Sequence, residues 1–290
     1  MKRATKVWLI ISACLIAAGL MISTVALVSL GFDFKKMSTR TMETNTYTPA
    51  GDFSNILVDV RTEDITFKLS TDGKTKVVCY EEEKMKCSVQ ISDDTLVVTQ
   101  DDDRKWYEHI GFYAEDASVI VYLPAENFYD ECNLYCTTGD VTAAKDIRFL
   151  NANVETTTGD IDWNANTAGK LQMKCTTGDI KVSNVRCGSM DIQGATTDVN
   201  LKNTEAEDKL HVKVTTGDVT LDRVDAAELF IKATTGDVIG TLVSDKIFET
   251  KATTGMIIMP AGEQIKDTTK PLGKCTIETT TGDIKIEIEQ

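Results

Sequence analysis

The sequence predicts an all-β protein: a single-stranded, β-helix-like β-solenoid with about 19–20 residues per coil, preceded by one transmembrane helix. Three observations predict this fold class. The tetrapeptide Thr-Thr-Gly-Asp recurs through the second half of the 290-residue chain. Apolar and polar residues alternate between its copies, as in short half-buried strands. An uncharged stretch near the N-terminus is long enough to cross a bilayer.

The repeat has a nearly constant period. Successive fourth positions lie 20, 19, 19, 20, 19, 19 and 27 residues apart, counting a copy at Thr196-Thr197-Asp198 that lacks the Gly and one at Thr253-Thr254-Gly255-Met256 that lacks the Asp. Eight turns at one strand spacing predict a rod about 35 to 40 Å long, with at least about 45% strand from residue 53 onward. The predicted turn residues, all structural, are Gly139, Asp140, Gly159, Asp160, Gly178, Asp179, Asp198, Gly217, Asp218, Gly236, Asp237, Gly255, Gly282 and Asp283.

Each residue type of the repeat suits a corner of a coil. In the unit Leu210–Val224, alternation predicts that Thr215 points outward and that Thr216 faces the core. Gly217 is expected where the corner needs a positive φ or close stacking of backbone on the neighbouring coil. The carboxylate of Asp218 is expected to accept backbone N–H bonds in the turn. Corner chemistry therefore explains the motif without a binding or catalytic role.

Three functional interpretations of the motif are weaker. Stacked carboxylates repel by about 0.9 kcal/mol per pair in water, which Ca²⁺ would relieve, but the Ca²⁺-binding nonapeptide repeat has more glycines than this one. Ordering of water or ice needs two exposed Thr columns, and one is predicted. A glycosidase needs a cleft and two carboxyl groups in unlike environments, which identical stacked positions do not provide.

The N-terminal region predicts a single-pass membrane anchor. We expect residues 1–6 in the cytoplasm, 7–30 as the transmembrane helix in the cell membrane, and 31–52 as a polar stalk. Three basic residues precede the helix, so the domain beyond it is expected outside the cytoplasm. A cleaved signal peptide and a lipoprotein box ending at Cys14 are alternatives, but the apolar stretch is long for the first and continues past Cys14 against the second.

The extracytoplasmic part is predicted to consist of an N-terminal β region and cap, residues 53–125, and the solenoid repeats, residues 126–290. The formal net charge of the whole chain is −14. Beyond residue 32 the chain carries 28 basic and 45 acidic side chains, a net of −17. An acidic surface of this kind repels polyanions, so nucleic acid is excluded as a partner.

Searches for catalytic and cofactor motifs are negative. The chain has two histidines, His109 and His211, and His211 is expected to point to solvent from a strand. Phosphate-binding glycine loops, nucleophile elbows and His-x-x-x-His pairs do not occur in the sequence. The predictions are therefore no catalytic residue, no cofactor and no metal.

Seven of the eight cysteines lie beyond the anchor, an odd number that cannot pair completely within one chain. Cys79 and Cys87 flank a predicted hairpin tip and could face each other across two strands. Cys136 and Cys175 occupy one position of coils two apart, about 9.6 Å, beyond the reach of a disulfide. Buried free thiols and a partial disulfide framework both remain open. The paired Cys-x-x-Cys spacing of zinc sites is missing.

One irregular, aromatic-rich segment, Asp101–Tyr113, interrupts the strand pattern. Its aromatic side chains would be costly to expose, and together with an arginine they have the composition of a binding hot spot. They could instead cap the open N-terminal end of the solenoid, since repeat proteins need caps. The candidate cap or contact residues are Arg104, Trp106, Tyr107, Phe112 and Tyr113.

The segment Val-Ile-Val-Tyr-Leu-Pro at 119–124, followed by Thr-Thr-Gly-Asp at 137–140 and its successors, resembles the bacterial putative-adhesin family of β-strand-repeat envelope proteins with an N-terminal membrane anchor. The resemblance covers about residues 53–290. It implies a surface interaction module, adhesin-like or associated with envelope stress, with a protein or glycan partner. The missing Gly before Asp198, Met256 in place of Asp and the 27-residue last spacing depart from the family pattern.

The predicted function is thus a non-catalytic, membrane-anchored extracytoplasmic interaction module. Two alternatives remain. A carbohydrate-active enzyme on a β-helix would need long insertions that form a cleft, and only the 27-residue spacing offers one. An envelope scaffold that polymerises end to end is the other alternative.

Overall fold

A computed structural model describes residues 3–32, 41–105, 117–260 and 272–289. Of these residues 64% lie in β-strands, and their one α-helix is α1, Arg3–Ser29. The prediction of a β-rich chain with one N-terminal apolar helix is therefore confirmed. Within α1, Thr5–Ser29 is long and apolar enough to cross a membrane by length and composition.

Twenty-two strands of the described residues form one hydrogen-bonded sheet that winds around a common core. Their bounds are β1 Met42–Tyr47, β2 Asn55–Val60, β3 Asp64–Leu69, β4 Lys76–Glu82, β5 Met85–Ser92, β6 Thr95–Asp102, β7 Ser118–Leu123, β8 Tyr129–Thr138, β9 Val141–Ala143, β10 Arg148–Thr158, β11 Ile161–Trp163, β12 Asn166–Thr167, β13 Lys170–Thr177, β14 Ile180–Ser183, β15 Arg186–Thr196, β16 Val199–Thr216, β17 Val219–Thr235, β18 Val238–Leu242, β19 Lys246–Thr254, β20 Ile257–Ile258, β21 Gly273–Thr281 and β22 Ile284–Ile288.

The strands from β8 onward pair in parallel with a register of one repeat. Thr156 of β10 lies opposite Cys136 of β8 on one side and Cys175 of β13 on the other, which are 20 and 19 residues away in sequence. Each coil has three short sides. In the coil that begins at residue 170 the three sides are β13, β14 and the start of β15. In the next coil, β13 pairs with the second half of β15, β14 pairs with the start of β16, and the start of β15 pairs with the middle of β16. The arrangement is solenoid-like, with one repeat per turn.

Alternation along the strands fills the core. In the inner coils most inward residues are apolar and buried, and most outward residues are polar. The largest side chains cluster near the first coils: the ring of Phe149 lies 6.2 Å from that of Phe67, 6.0 Å from Tyr129 and 5.6 Å from Trp163, centroid to centroid. Trp163 Nε1 donates a hydrogen bond of 3.2 Å to Thr167 Oγ1. The aromatic cluster is thus fully packed and its one indole N–H is satisfied.

The N-terminal end of the stack is closed by antiparallel strands. β6 and β7 pair in parallel with β2 and β3, and β5, β4 and β1 then add in antiparallel orientation. Residues 42–47 form β1, although they fall in the segment 31–52 predicted to be an irregular stalk. The stalk prediction is wrong for these residues, because the alternation Met-Glu-Thr-Asn-Thr-Tyr pairs with β4 over six positions.

The last two coils are exchanged in space relative to their order in the chain. β21 lies between β17 and β19, and β22 lies between β18 and β20. The coil nearest the C-terminus, β21 with β22, therefore lies inside the stack. The preceding coil, β19 with β20, forms the outer end of the stack. On the first side of the coils, eleven strands from β5 to β19 follow one another, so the stack is about 48 Å long at ten strand spacings.

The predicted orientation of the second threonine of the motif is wrong. Thr215 and Thr216 are both exposed, whereas Val214 is buried. Strand alternation stops after Val214 because the chain is already turning, and the carbonyl of Thr216 accepts the N–H of Thr197 from the neighbouring coil at 2.8 Å. The corner consequently exposes two threonine columns where one was expected.

Candidate functional site

The motif glycines occupy corners where a side chain does not fit. Gly217 has φ +135°, and a Cβ built on it would lie 2.1 Å from the carbonyl oxygen of Thr197 in the neighbouring coil. The same holds along the stack: Gly236 would meet the carbonyl of Gly217 at 2.0 Å. Both requirements expected from the sequence, a positive φ and close stacking of backbone, are present at one position.

The motif aspartates form a ladder of backbone contacts that is interrupted between Asp179 and the degenerate copy at Asp198. Asp160 Oδ1 accepts the N–H of Asp179 at 2.8 Å, and Asp140 Oδ1 accepts the N–H of Asp160 at 2.7 Å. The ladder begins at Asp64, whose Oδ1 accepts the N–H of Asp140. It ends at Met256, whose N–H donates to Asp283 Oδ1 at 2.7 Å. Met256 lies in the outermost coil, so the methionine replaces an aspartate at the place where no further coil needs an acceptor.

The degenerate copy at Asp198 is compensated from within its own coil. Thr197 occupies the corner position of the missing glycine and its side chain points into the core. A Cβ on Gly194 would lie 2.5 Å from Thr197 Cβ. A glycine therefore lies three residues before the corner, at Gly194, where the absence of a side chain leaves space for Thr197. The Thr197 hydroxyl donates to the carbonyl of Cys175 at 3.2 Å.

The first corner carries a buried acid instead of a glycine. Glu63 is fully buried and accepts the N–H of Thr62 at 3.0 Å and a hydrogen bond from Gln100 Nε2. Burial raises its pKa above the ordinary value of 4.5, and these hydrogen bonds oppose the rise only partly. Gln100 Oε1 is buried without a donor among the described residues.

We expect Glu63→Gln to gain stability relative to wild type as pH rises. A carboxyl group with a raised folded pKa stabilises the folded state below its unfolded pKa of about 4.5, and this contribution is lost as pH rises through the folded pKa. The neutral amide carries no such dependence. Urea unfolding between pH 4.5 and pH 8 measures the difference between the two proteins. The exposed substitution Glu207→Gln controls for net charge, and a pH-independent difference for Glu63→Gln would contradict the assignment.

The outward faces carry charged pairs between neighbouring coils. Lys202 contacts Asp222 at 3.0 Å and Lys209 contacts Glu228 at 3.1 Å, both between exposed side chains. Such pairs contribute little to stability. His211 points outward as predicted, and it contacts two neighbours: its Nδ1 lies 3.2 Å from Asp191 Oδ1, and its ring lies 5.0 Å from that of Phe230. His109 lies outside the described residues.

The outer end of the stack exposes apolar side chains. We call β19 and β20, residues 246–258, the terminal coil. Ile247, Met256, Ile257 and Ile258 of this coil are all exposed. Among the described residues β19 has a ladder partner on one side only, β21, and β20 likewise has only β22. The terminal coil therefore combines two open sheet edges with an apolar surface, a combination that favours association with another chain.

The predicted cap or contact residues fall largely outside the description. Trp106, Tyr107, Phe112 and Tyr113 lie outside the described residues. The side chain of Arg104 is 8% exposed, donates from Nε to Asp102 at 2.7 Å, and contacts Glu82 at 3.3 Å. Arg104 is thus buried in the N-terminal end of the stack rather than presented to a partner.

All eight cysteines are free thiols, and the seven beyond α1 are buried. Cys136 and Cys175 are separated by the strand that carries Thr156, as predicted. Cys79 and Cys87 lie close together, as the sequence allowed, and the carboxylate of Glu81 lies beside both thiols. The three ligand atoms lie within 4.8 Å of one another. Hydrogen bonding to Cys79 and burial raise the pKa of the Cys87 thiol.

Sequence analysis missed this cluster because Cys-x-Glu-x₅-Cys matches none of the zinc spacings with paired cysteines. A signal was nevertheless available. Cys79 and Glu81 are two residues apart in a strand, hence on one face, and the hairpin returns Cys87 to the same layer.

Comparisons with known proteins place these features in a family. Residues 53–287 match the family model described as Toastrack DUF4097. Among solved structures, one named a putative adhesin from Bacteroides fragilis has a TM-score of 0.51 and 16% identity, covering 86% of this chain and 99% of its own. One named a putative lipid binding protein from Parabacteroides distasonis has a TM-score of 0.56 and 13% identity, covering 86% and 98%. At these identities the likeness extends to the fold. The search of curated proteins finds no match.

Proposed function

Because the chain belongs to the Toastrack DUF4097 family, we propose that it is a non-catalytic, membrane-anchored extracytoplasmic β-solenoid that acts as a surface interaction module. α1 is the anchor in this proposal, with the N-terminus in the cytoplasm and the three basic residues before the helix on the inner side. Two solved structures that share the fold of this chain are named a putative adhesin and a putative lipid binding protein.

The terminal coil is the observation that supports this function most directly. β1, the first strand after α1, lies at the opposite end of the stack from the terminal coil. Open edges offer backbone N–H and C=O groups to an added strand, and the exposed side chains of Ile257 and Ile258 offer apolar area beside them. We therefore assign a protein partner that adds an extended segment to this edge.

A catalytic role has less support. The motif aspartates, the most numerous acidic group of the repeats, are committed to backbone N–H groups of neighbouring coils, as at Asp160 and Asp218. Identical, structurally committed carboxylates do not provide the acid and base of unlike environment that glycoside hydrolysis needs. The proposal is accordingly a binding module, with adhesion preferred over a carbohydrate-active enzyme.

Ile257→Lys in the full-length chain is expected to weaken contact at least fivefold, because about 1 kcal/mol of apolar burial is lost at the interface. The measurements are aggregation of cells that display the chain and retention of their envelope fraction by the purified chain in lipid nanodiscs. Ile239→Lys is the matched control, because Ile239 and Ile257 are each 43% exposed. Ile239 lies in β18, which has a paired strand on both sides and so offers no open edge.

Two results would contradict the proposal. Unchanged aggregation and retention for Ile257→Lys would remove the terminal coil as the contact surface. An equal loss for Ile239→Lys would show that added positive charge, rather than the position of the side chain, decides the outcome. Retention that requires a second copy of this chain would favour the polymerising scaffold.

A further inference from the structure

We propose that Cys79, Glu81 and Cys87 form a buried site for one thiophilic divalent metal ion of the zinc type. The site follows from local geometry. Residues two apart on a strand share a face, so Cys79 and Glu81 of β4 both point into the N-terminal end of the stack. The β4–β5 turn brings the inward face of β5, with Cys87, onto the same layer. The three ligand atoms come within 4.8 Å of one another.

The donor set selects the class of ion. Two thiolates and one carboxylate are ligands that zinc binds, whereas Ca²⁺ and Mg²⁺ prefer sites made of oxygen alone. Zinc binds cysteine as the thiolate, so binding at this cluster would displace the two thiol protons to solvent. Three protein ligands leave room for a fourth from solvent or a neighbouring side chain.

The surroundings of Glu81 are those of a ligand held in position. This fully buried carboxylate accepts the N–H of Cys87 at 2.5 Å, Asn45 Nδ2 at 2.7 Å and the Tyr47 hydroxyl at 3.3 Å. All three donors are neutral, so they orient the carboxylate without compensating its charge. Outer hydrogen bonds of this kind fix metal ligands in proteins and favour a bound cation.

A metal at this site would join three strands of the N-terminal end. Cys79 and Glu81 belong to β4, Cys87 belongs to β5, and Asn45 with Tyr47 ties β1 to Glu81. The site lies at the opposite end of the stack from the terminal coil, so it is independent of the contact surface proposed above. Its role is structural: it closes the end at which the chain leaves the membrane anchor.

The test uses the full-length chain in detergent micelles, with a tag free of histidine, kept reduced and stripped of metal with a chelator. Added Zn²⁺ is expected to bind at about one ion per chain and to raise the melting temperature, because a ligand that binds only the folded state stabilises it. Co²⁺ in place of Zn²⁺ is expected to give a sulfur-to-cobalt charge-transfer band in the near ultraviolet. That band reports thiolate ligands without any mutation.

Cys79→Ser and Cys87→Ser are each expected to weaken Zn²⁺ binding more than about 100-fold, beyond the 10–100-fold that loss of an outer-shell partner costs. Cys132→Ser is the matched control, since Cys132 is equally buried but lies outside the cluster, and it is expected to bind as wild type does. Glu81→Gln keeps the shape of the side chain and serves if a cysteine variant fails to fold.

Three results would overturn the site. They are less than about 0.1 Zn²⁺ per chain in the reduced wild type, a Co²⁺ complex without the sulfur band, and full Zn²⁺ binding by Cys79→Ser or Cys87→Ser. A Cys79–Cys87 disulfide that forms in protein isolated without reductant and persists when Zn²⁺ is present would also overturn it, and would assign the pair to a covalent link.

Discussion

Gly217→Val is expected to lower the free energy of unfolding by more than about 2 kcal/mol. The substitution places a β-branched side chain at φ +135°, which L residues rarely adopt, and its Cβ would lie 2.1 Å from the carbonyl oxygen of Thr197. The Thr197 coil cannot move away from this corner without breaking a hydrogen bond, because the Thr197 N–H donates to Thr216 O at 2.8 Å. Thermal and urea unfolding of the full-length chain in micelles measure the loss.

Thr215→Val is the control for this prediction. Thr215 is exposed, lies two residues before the same corner, and becomes a β-branched residue of the same shape. Its effect on the melting temperature is expected to be close to zero. If Gly217→Val unfolds at the wild-type temperature, the corner does not require glycine and the account of the motif is wrong.

Trp163→Ala is expected to cost about 3–5 kcal/mol, the range for removal of a large buried aromatic side chain. Trp163 is fully buried and packs on Phe149, and its loss would also leave the Thr167 hydroxyl without its indole donor. The coils above and below hold the cavity open, because their backbones are fixed by parallel ladders. The denaturant midpoint should fall accordingly.

Leu150→Ala controls for loss of apolar volume in the same part of the stack. Leu150 lies next to Phe149 but points outward and is exposed, so its truncation is expected to cost less than about 1 kcal/mol. Equal losses for Leu150→Ala and Trp163→Ala would show that the aromatic cluster does not carry the stability of the first coils.

The repeat made the coil predictable because each coil needs the same corner. Period, alternation, corner glycine and aspartate contacts all follow from short-range chemistry that is visible in the sequence. The orientation of Thr216 did not follow, since the strand period of two fails where the chain begins to turn. The role of Gly194 was also hidden, because this glycine lies three residues before Thr197, the corner residue for which it leaves space.

The order of the last coils could not be predicted from pattern alone. All coils present the same backbone edge, so a given strand pairs equally well by local criteria with several neighbours. Met256 is the signal that the sequence does offer, because a coil without an acceptor carboxylate is suited to the end of the ladder. The cluster of Cys79, Glu81 and Cys87 was hidden for a related reason, since a three-dimensional turn and not a sequence spacing brings the ligands together.

The exchanged coils set a condition on how the chain can mature. During synthesis the N-terminal coils emerge first, and β19 with β20 emerge before β21 and β22. At that moment β19 can pair with the free edge of β17, which β21 occupies in the finished stack. In that pairing Asp237 would accept the N–H of Met256, which donates to Asp283 in the finished stack. The finished stack forms only when residues 273–288 insert between them. Folding of the outer end is therefore expected to wait for the last residues to be synthesised, and a chain truncated before them is expected to close into a rod one layer shorter.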